Sequence, residues 1–280
     1  MPIVIRTNPT SLGTLKALDK TQRMLTDSMV KLSSGMRINS ARDDAAGLAI
    51  SENLRSDIVS LGQATRNASD AISVLQIAEA AMGEIGNNLL RVRELAMQAA
   101  SGQLSQNQRD FIHDEMEEHK QEISRIAQVT EFAGKKLLDG SVASGAATLI
   151  FQVGINNAAT DRLPVNIATM GQTGIGMSTM SLSLQTRAQS ALDIIDSAIN
   201  TVSSRRANLG ARMNRLEIVI DNLASAEENI MAANSRIRDT DVGREMGNLV
   251  AQQILSQAGS AMLSQANSLP QMALSLLGAQ

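Results

Sequence analysis

The sequence predicts a mainly α-helical protein built from long antiparallel helices, a bundle or coiled coil with a small β-hairpin region near its middle. Three observations support this prediction: apolar residues repeat at helical spacing, aromatic residues are nearly absent, and glycines cluster in one central segment. The 280-residue chain has no Trp, no Tyr, three Phe and 15 Met, so it lacks the rings that fill a thick globular core. Narrow seams between paired helices suit this composition better.

The first predicted helix is amphipathic and carries a seven-residue repeat between residues 15 and 36. The repeat sets apolar side chains along one side, which we interpret as a packing seam. One position of the repeat holds Leu15, Gln22, Met29 and Met36, and the other holds Leu18, Leu25 and Leu32. Basic residues fall off this seam, and the run Ser33-Ser34-Gly35 is expected to end the helix.

Three further helices are predicted in the interior of the chain. The second, over residues 43–100, begins at two aspartates whose carboxylates suit the positive end of a helix dipole. The third, 105–129, opens with a serine that can cap it. The fourth, 181–235, shows apolar residues at spacings of three, four and seven.

Residues 130–180 differ from the rest because glycines punctuate them. Between the glycines lie short apolar segments at 148–153 and 163–167. We predict strands and turns here, arranged as hairpins.

The last segment, from Met246 to Gln280, contains no Lys, Arg, Asp or Glu. Polar uncharged residues interrupt its apolar runs, so it does not fit a membrane span. Large apolar residues recur every seven positions, at Leu255, Met262, Leu269 and Leu276. Glycine and alanine lie between them and allow close helix approach. We expect this segment to pair with the first helix and to become ordered as neighbouring copies cover it.

Composition and charge argue against several classes of function. A net charge of -3 and a pI near 5.5, without base-stacking aromatics, disfavour a nucleic-acid role. A chain without Cys has no disulfide scaffold and no thiolate metal site. The amino terminus shows no apolar run before a small-residue cleavage pattern, so no cleavable secretory signal is expected.

The acidic run from His113 to His119 is the strongest candidate for metal or acid–base chemistry. Its two histidines are six residues apart, about 120° around a helix, and therefore unlike the i, i+4 pair that binds zinc. A solvated acidic face explains the run more simply. No phosphate loop or nucleophile elbow occurs, and we expect no enzyme activity, no metal and no cofactor.

Stretches of sequence near both ends of the chain carry a family resemblance. Residues 32–50, LSSGMRINSARDDAAGLAI, resemble the amino-terminal signature of bacterial flagellins, and residues 209–217 and 235–239 resemble the carboxy-terminal signature. Their signature and linker residues include Asn39, Asp43, Asp44, Arg236, Arg238 and Asp239.

The resemblance implies a structural subunit that self-assembles into the helical flagellar filament used for swimming motility. It implies an inner terminal-helix domain (1–42 and 240–280) and a helical rod domain (43–140 and 181–239). A short β/turn connector, 141–180, would replace the large outer domains of many flagellins. The two terminal seams, Leu15 to Leu32 and Leu255 to Leu276, are expected to pack nearest the filament axis.

The resemblance also implies partners and a location. The expected partners are other copies of the chain, an export chaperone, hook-associated junction proteins and the filament cap. The subunit would be secreted through the type III export apparatus into an extracellular filament, with a periplasmic filament left open. Arg91, Leu95 and Glu115 match positions read by a flagellin-sensing Toll-like receptor. The alternative is that both charges are solvated and Leu95 packs between subunits.

Other functions remain as alternatives at this stage. A hook–filament junction protein shares terminal helices of this kind, but the short middle region favours flagellin. An enzyme housed in the variable region would need more than the residues between 141 and 180. A translocon or effector coiled coil would need an uninterrupted apolar span. One departure from the family is Ala133, where Asn is usual.

Overall fold

The chain is described by a computed structural model that covers residues 7–142 and 148–277, with the backbone alone at 269–277. Five helices dominate it: α1 (Pro9–Ser34), α2 (Ala45–Ala99), α3 (Gln106–Val129), α4 (Gln185–Arg238) and α5 (Val242–Leu277). Strand β1 (Glu131–Phe132) pairs with β2 (Lys135–Lys136), and β3 (Leu149–Gln152) pairs with β4 (Arg162–Val165), both antiparallel. The predicted fold class is confirmed.

Local chemistry explains where the first helices begin and end. The Asn8 side-chain oxygen accepts a hydrogen bond from the Ser11 N–H at 3.1 Å and caps α1. The helix ends at Gly35, whose φ of 70° is left-handed. The Asp44 carboxylate accepts from the Gly47 N–H at 2.9 Å and caps the start of α2.

The described chain forms two compact units. The terminal unit comprises Met1–Ser56 and Asn229–Gln280, and the central unit comprises Asp57–Glu228. Both units draw on sequence from the two halves of the chain. The domain bounds inferred from the family resemblance stay predictions.

The core of the central unit is an antiparallel coiled coil of α2 and α4. Ion pairs between Arg206 and Glu79 (2.6 Å) and between Arg93 and Asp196 (2.7 Å) fix the antiparallel register. Small and large side chains alternate between the helices. One end combines Ala64, Ala68 and Ala71 of α2 with Leu209, Leu216 and Leu223 of α4, and the other combines Ile85, Leu89 and Leu95 with Ala188, Ala191 and Ala198. Large residues opposite small ones fill the space between the two helices.

The segment that was expected to be a connector contributes to this core. Between β4 and α4 the chain has no regular structure, yet its apolar side chains are buried. They are Ile167, Met170, Ile175, Met177, Met180 and Leu182. Polar groups on the helices hold its backbone, since Arg205 donates to the Thr169 carbonyl at 2.6 Å and Gln106 donates to the Ser183 carbonyl at 2.7 Å.

The turn between β1 and β2 has an unfavourable residue. Ala133 has a φ of 49° and Gly134 a φ of 76°, both left-handed. Glycine tolerates that conformation, whereas alanine pays a steric cost for it and asparagine pays less. The family's usual Asn at this position therefore has a backbone explanation.

Candidate assembly surface

Helices α1 and α5 of the terminal unit pair antiparallel, as expected from their sequences. The Asn8 amide donates to the Ala266 carbonyl at 2.8 Å, and the Ser11 hydroxyl donates to the Asn267 side-chain oxygen at 2.8 Å. Farther along, Leu18 lies against Gly259, so that a Cβ added at residue 259 would come within 3.2 Å of a Leu18 methyl. Glycine thus makes room for the leucine.

The seam between the two helices is built mostly from small and polar residues. Among the less exposed positions of α1, one series runs through Ser11, Thr14, Leu18, Thr21, Leu25, Ser28 and Leu32. On α5 a matching series runs through Leu249, Gln252, Ser256, Gly259, Leu263 and Ala266. Both series follow spacings of three and four, the pattern of a coiled coil. Ser28 is 6% exposed, and the side-chain amide oxygen of Gln252 is buried without a hydrogen-bond partner in the described structure.

The structure divides the sequence-predicted seam residues into two sets. Leu18, Leu25 and Leu32 line the seam. Exposed outside it are Leu15 (50%), Met29 (51%), Leu255 (54%) and Met262 (59%). The side chains of Leu269 and Leu276 lie outside the described residues.

The expectation that Leu15 and Met29 share one seam with the three leucines is therefore wrong within a single chain. Helix α5 presents small residues such as Ser256 and Gly259, and α1 turns Thr14, Thr21 and Ser28 towards it. Small residues on both sides permit closer approach than leucine and methionine would. Whether the displaced residues pack in a filament is a separate prediction.

Both helices expose apolar side chains on their remaining faces. On α1 they are Leu12, Leu15, Met24, Met29 and Val30, and on α5 they are Val242, Met246, Val250, Ile254, Leu255 and Met262. A groove of about 390 Å³ runs between the helices, with Leu15 and Leu18 on one side and Ser256 and Ser260 on the other. So much exposed apolar surface on one unit is typical of an interaction surface.

A short backbone junction joins the two chain segments of the terminal unit. The Arg37 N–H donates to the Arg238 carbonyl at 2.6 Å, and the Thr240 N–H donates to the Gly35 carbonyl at 3.0 Å. Met36 and Asp239 form the β-bridge between these bonds. The Arg236 carbonyl accepts from the Arg37 guanidinium at 3.5 Å.

The Arg238 side chain stabilises this junction. Its guanidinium pairs with the Glu52 carboxylate at 2.7 Å and lies 3.1 Å from the Met36 sulfur. Only 16% of the Arg238 side chain is exposed, against 49% for Glu52. Because the Arg238 guanidinium is largely shielded from water, its ion pair with Glu52 stabilises the junction more than a fully exposed pair would.

Asp43 and Asp44, both in the signature, have structural roles here. The Asp43 carboxylate accepts from the Ser40 N–H at 2.9 Å, the Ser40 hydroxyl at 3.0 Å and the Asn39 N–H at 3.1 Å. These bonds hold the pKa of Asp43 below its ordinary value because they stabilise the carboxylate, and the bond from the Ser40 N–H has the largest effect. Asn39 takes part through its backbone, and Asp44 caps α2.

The residues that match the receptor-read positions lie in the central unit. Arg91 pairs with Glu115 at 2.7 Å and with Glu94 at 3.0 Å, and all three side chains are exposed. Leu95 is 2% exposed and belongs to the core of the same subunit. The alternative that Leu95 packs between subunits is therefore wrong.

The described residues hold no group of three or more His, Cys, Asp or Glu side chains arranged to bind a metal ion. The two histidines have separate partners: His119 lies 2.9 Å from the Asn88 side-chain oxygen, and His113 accepts from the Leu182 N–H at 3.4 Å. No described helix has the length and apolarity needed to cross a bilayer.

Sequence reasoning missed two buried cations of α3. Arg109, 9% exposed, donates to the Ala99 carbonyl at 2.9 Å and to the Ser101 carbonyl at 2.8 Å. Lys120, 4% exposed, pairs with Glu117 at 2.7 Å. Each cation follows a three- or four-residue spacing with buried apolar neighbours, which is the signal that could have located it.

Comparisons with known proteins agree in sequence and structure. A family profile for the bacterial flagellin N-terminal helical region matches residues 5–143, and one for the C-terminal helical region matches residues 192–277. The chain is 43% identical to a flagellin of Bacillus subtilis (strain 168), covering 98% of this chain and 99% of that protein. It is 38% identical to the flagellar filament 33 kDa core protein of Treponema phagedenis, over 98% and 100% of the two chains. The crystal structure of Bacillus cereus flagellin superposes with a TM-score of 0.50 and 31% identity, covering 60% of this chain and 94% of that chain.

Proposed function

We propose, for a chain that belongs to the bacterial flagellin family, that α1 and α5 together form the surface through which it assembles. The chain is a structural subunit of the flagellar filament, and its family and fold are structural rather than enzymatic. Relatives named as filament proteins favour this role over a hook-associated junction protein.

One observation supports the terminal helices most strongly. Pairing of α1 with α5 covers only one face of each helix. Large apolar residues stay exposed on the remaining faces, among them Leu15, Met29, Leu255 and Met262. An isolated copy would keep this surface in water at a cost of roughly 25 cal/mol per Å². Contact with further copies removes that cost.

Symmetry determines what such contacts build. A surface that binds a different surface on the next copy, without closing a ring, produces an open helical filament. We place residues 1–42 and 240–280 in an inner domain, 43–140 and 181–239 in a surrounding helical domain, and 141–180 between the halves of the latter. The uncharged stretch after Met246 suits an inner wall along which exported chains must slide without electrostatic binding.

Deletion of residues 255–280 tests the proposal. We expect full-length protein to form long filaments after salting out and the truncated protein to form none, as seen by electron microscopy. Circular dichroism should show that the truncated chain keeps the helices of its central unit. A full-length variant with Leu255→Gln and Met262→Gln controls for chain length and should also fail to assemble.

Two outcomes would count against this proposal. Filaments formed by the truncated chain would remove α5 from the assembly surface. Monomers or short caps from both proteins would favour the hook-associated junction role.

Further partners follow from the same proposal. An export chaperone would cover α5 before assembly, while junction proteins and the cap would contact the first and last copies. The chain would leave the cell through the flagellar type III apparatus. A host Toll-like receptor would reach Arg91 and Glu115 on the exposed surface, but not the buried Leu95 without rearrangement.

A further inference from the structure

We propose that the four exposed methionines described on α1 and α5 form an oxidation site whose modification blocks assembly. They are Met24 and Met29 on α1 and Met246 and Met262 on α5. This inference rests on the proposed function, because it needs assembly to cover these helices.

Exposure separates these methionines from those of the core. The four side chains are 43%, 51%, 48% and 59% exposed in the order given. In contrast, the methionines packed in the central unit are at most 4% exposed: Met82, Met116, Met170, Met177 and Met180. A diffusing oxidant reaches the first set in the folded chain and is excluded from the second.

Oxidation of the four residues would affect assembly because of where they lie. None of them lies on the α1–α5 seam, so pairing of the two helices within the chain leaves them uncovered. Helix geometry places Met29 on the same side of α1 as exposed Leu15, Met24 on the opposite side, and Met262 on the same side of α5 as exposed Leu255. These are the apolar faces that the next copy would cover.

The chemistry is a two-electron oxygen transfer from a peroxide. The methionine sulfur loses two electrons and gains an S=O bond, while the O–O bond of hydrogen peroxide breaks and water leaves. The chain contains no Cys, Trp or Tyr, so methionine is its principal target for such an oxidant. A sulfoxide reductase reverses the change.

Oxidation changes what the surface can bury. A thioether is apolar, whereas a sulfoxide carries a strong acceptor that must find a donor when it leaves water. The apolar side chains that neighbour these sulfurs, such as Leu15 on α1 and Leu255 on α5, carry no donor. We expect each sulfoxide buried without a partner to raise the critical concentration for assembly by about tenfold.

A fractionation experiment tests the proposal without any mutation. Monomer is oxidised partially with hydrogen peroxide, allowed to polymerise, and separated into filaments and soluble protein. Peptide mass spectrometry then gives the sulfoxide content of each methionine in both fractions. Sulfoxide at the four positions should be depleted in filaments by about tenfold, whereas exposed Met97 of the central unit serves as the reference. Equal sulfoxide content at the four positions in both fractions would overturn the proposal.

A matched variant separates this proposal from the proposed function. The variant combines Met24→Leu, Met29→Leu, Met246→Leu and Met262→Leu. It should assemble and remain competent after full peroxide treatment, while treated wild type should assemble only after reductase treatment. Loss of assembly in the treated variant would place the sensitive residue elsewhere. Failure of untreated wild type to polymerise would instead count against the proposed function.

Discussion

Arg109 of α3 provides a sharp test of how the central unit is stabilised. Helix α2 has no basic residue in its last turn, so its final carbonyls depend on a donor from elsewhere. Arg109 supplies that donor, with bonds of 2.9 and 2.8 Å to the Ala99 and Ser101 carbonyls. Arg109→Ala removes both bonds and the cation at the negative end of the α2 dipole.

The expected loss follows from these contacts. Each bond from a charged donor contributes about 1.5 kcal/mol, and the cation at the helix end adds about 0.5 kcal/mol. Water reaches part of the vacated site because Ser101 is only half-buried. We therefore expect the free energy of unfolding to fall by about 3 kcal/mol, as measured by urea denaturation followed by circular dichroism.

Arg125→Ala is the matched control. Arg125 lies on the same helix and forms two bonds with Glu122, but 60% of its side chain is exposed. Its removal should leave stability almost unchanged. If Arg109→Ala changed stability no more than Arg125→Ala, the guanidinium would not be a significant cap of α2.

Three further predictions concern packing, backbone conformation and pH. Leu216→Ala removes a fully buried coiled-coil side chain and should lower the free energy of unfolding by about 3 kcal/mol. The control is Ile218→Ala, at a site 61% exposed on the same helix, which should change that free energy little in the same urea experiment. Ala133→Asn should raise the free energy of unfolding by about 0.5 kcal/mol, because Asn tolerates a φ of 49° better than Ala. A lower free energy of unfolding in this variant would refute this account of the turn. NMR titration should give Asp43 a pKa below its ordinary value of 3.8. The carboxylate's contribution to the stability of the 39–43 turn is then complete above pH 3.8 and is lost as the pH falls through the lowered pKa. A titration midpoint at or above 3.8 would contradict the hydrogen bonds from Ser40.

The helices could be predicted from sequence because their signals are local. Gly35 ends α1, and the carboxylate of Asp44 caps α2. Apolar residues repeat every three or four positions over long stretches, and this periodicity located α2, α3 and α4 to within a few residues. Pairing of the two terminal helices also followed, since the uncharged last segment needed an apolar partner.

The face of α1 that meets α5 could not be predicted from hydrophobicity. The periodicity grouped Leu15 and Met29 with the leucines, whereas Thr21 and Ser28 take their place in the structure. Pairing through small residues depends on how closely two backbones approach, and this depends on both helices at once. The contribution of Met170 and its neighbours to the core was hidden for a related reason, because an irregular segment has no periodicity.

The central claim is that assembly covers the faces of α1 and α5 that the single chain leaves exposed. The chain has no Cys, so single Cys substitutions at Leu15, Met29, Leu255 and Met262 can each be followed by maleimide labelling without background. We expect each thiol to react readily in the monomer and at least about tenfold more slowly in filaments, where neighbouring copies exclude the reagent. Labelling at equal rates before and after polymerisation would contradict the claim.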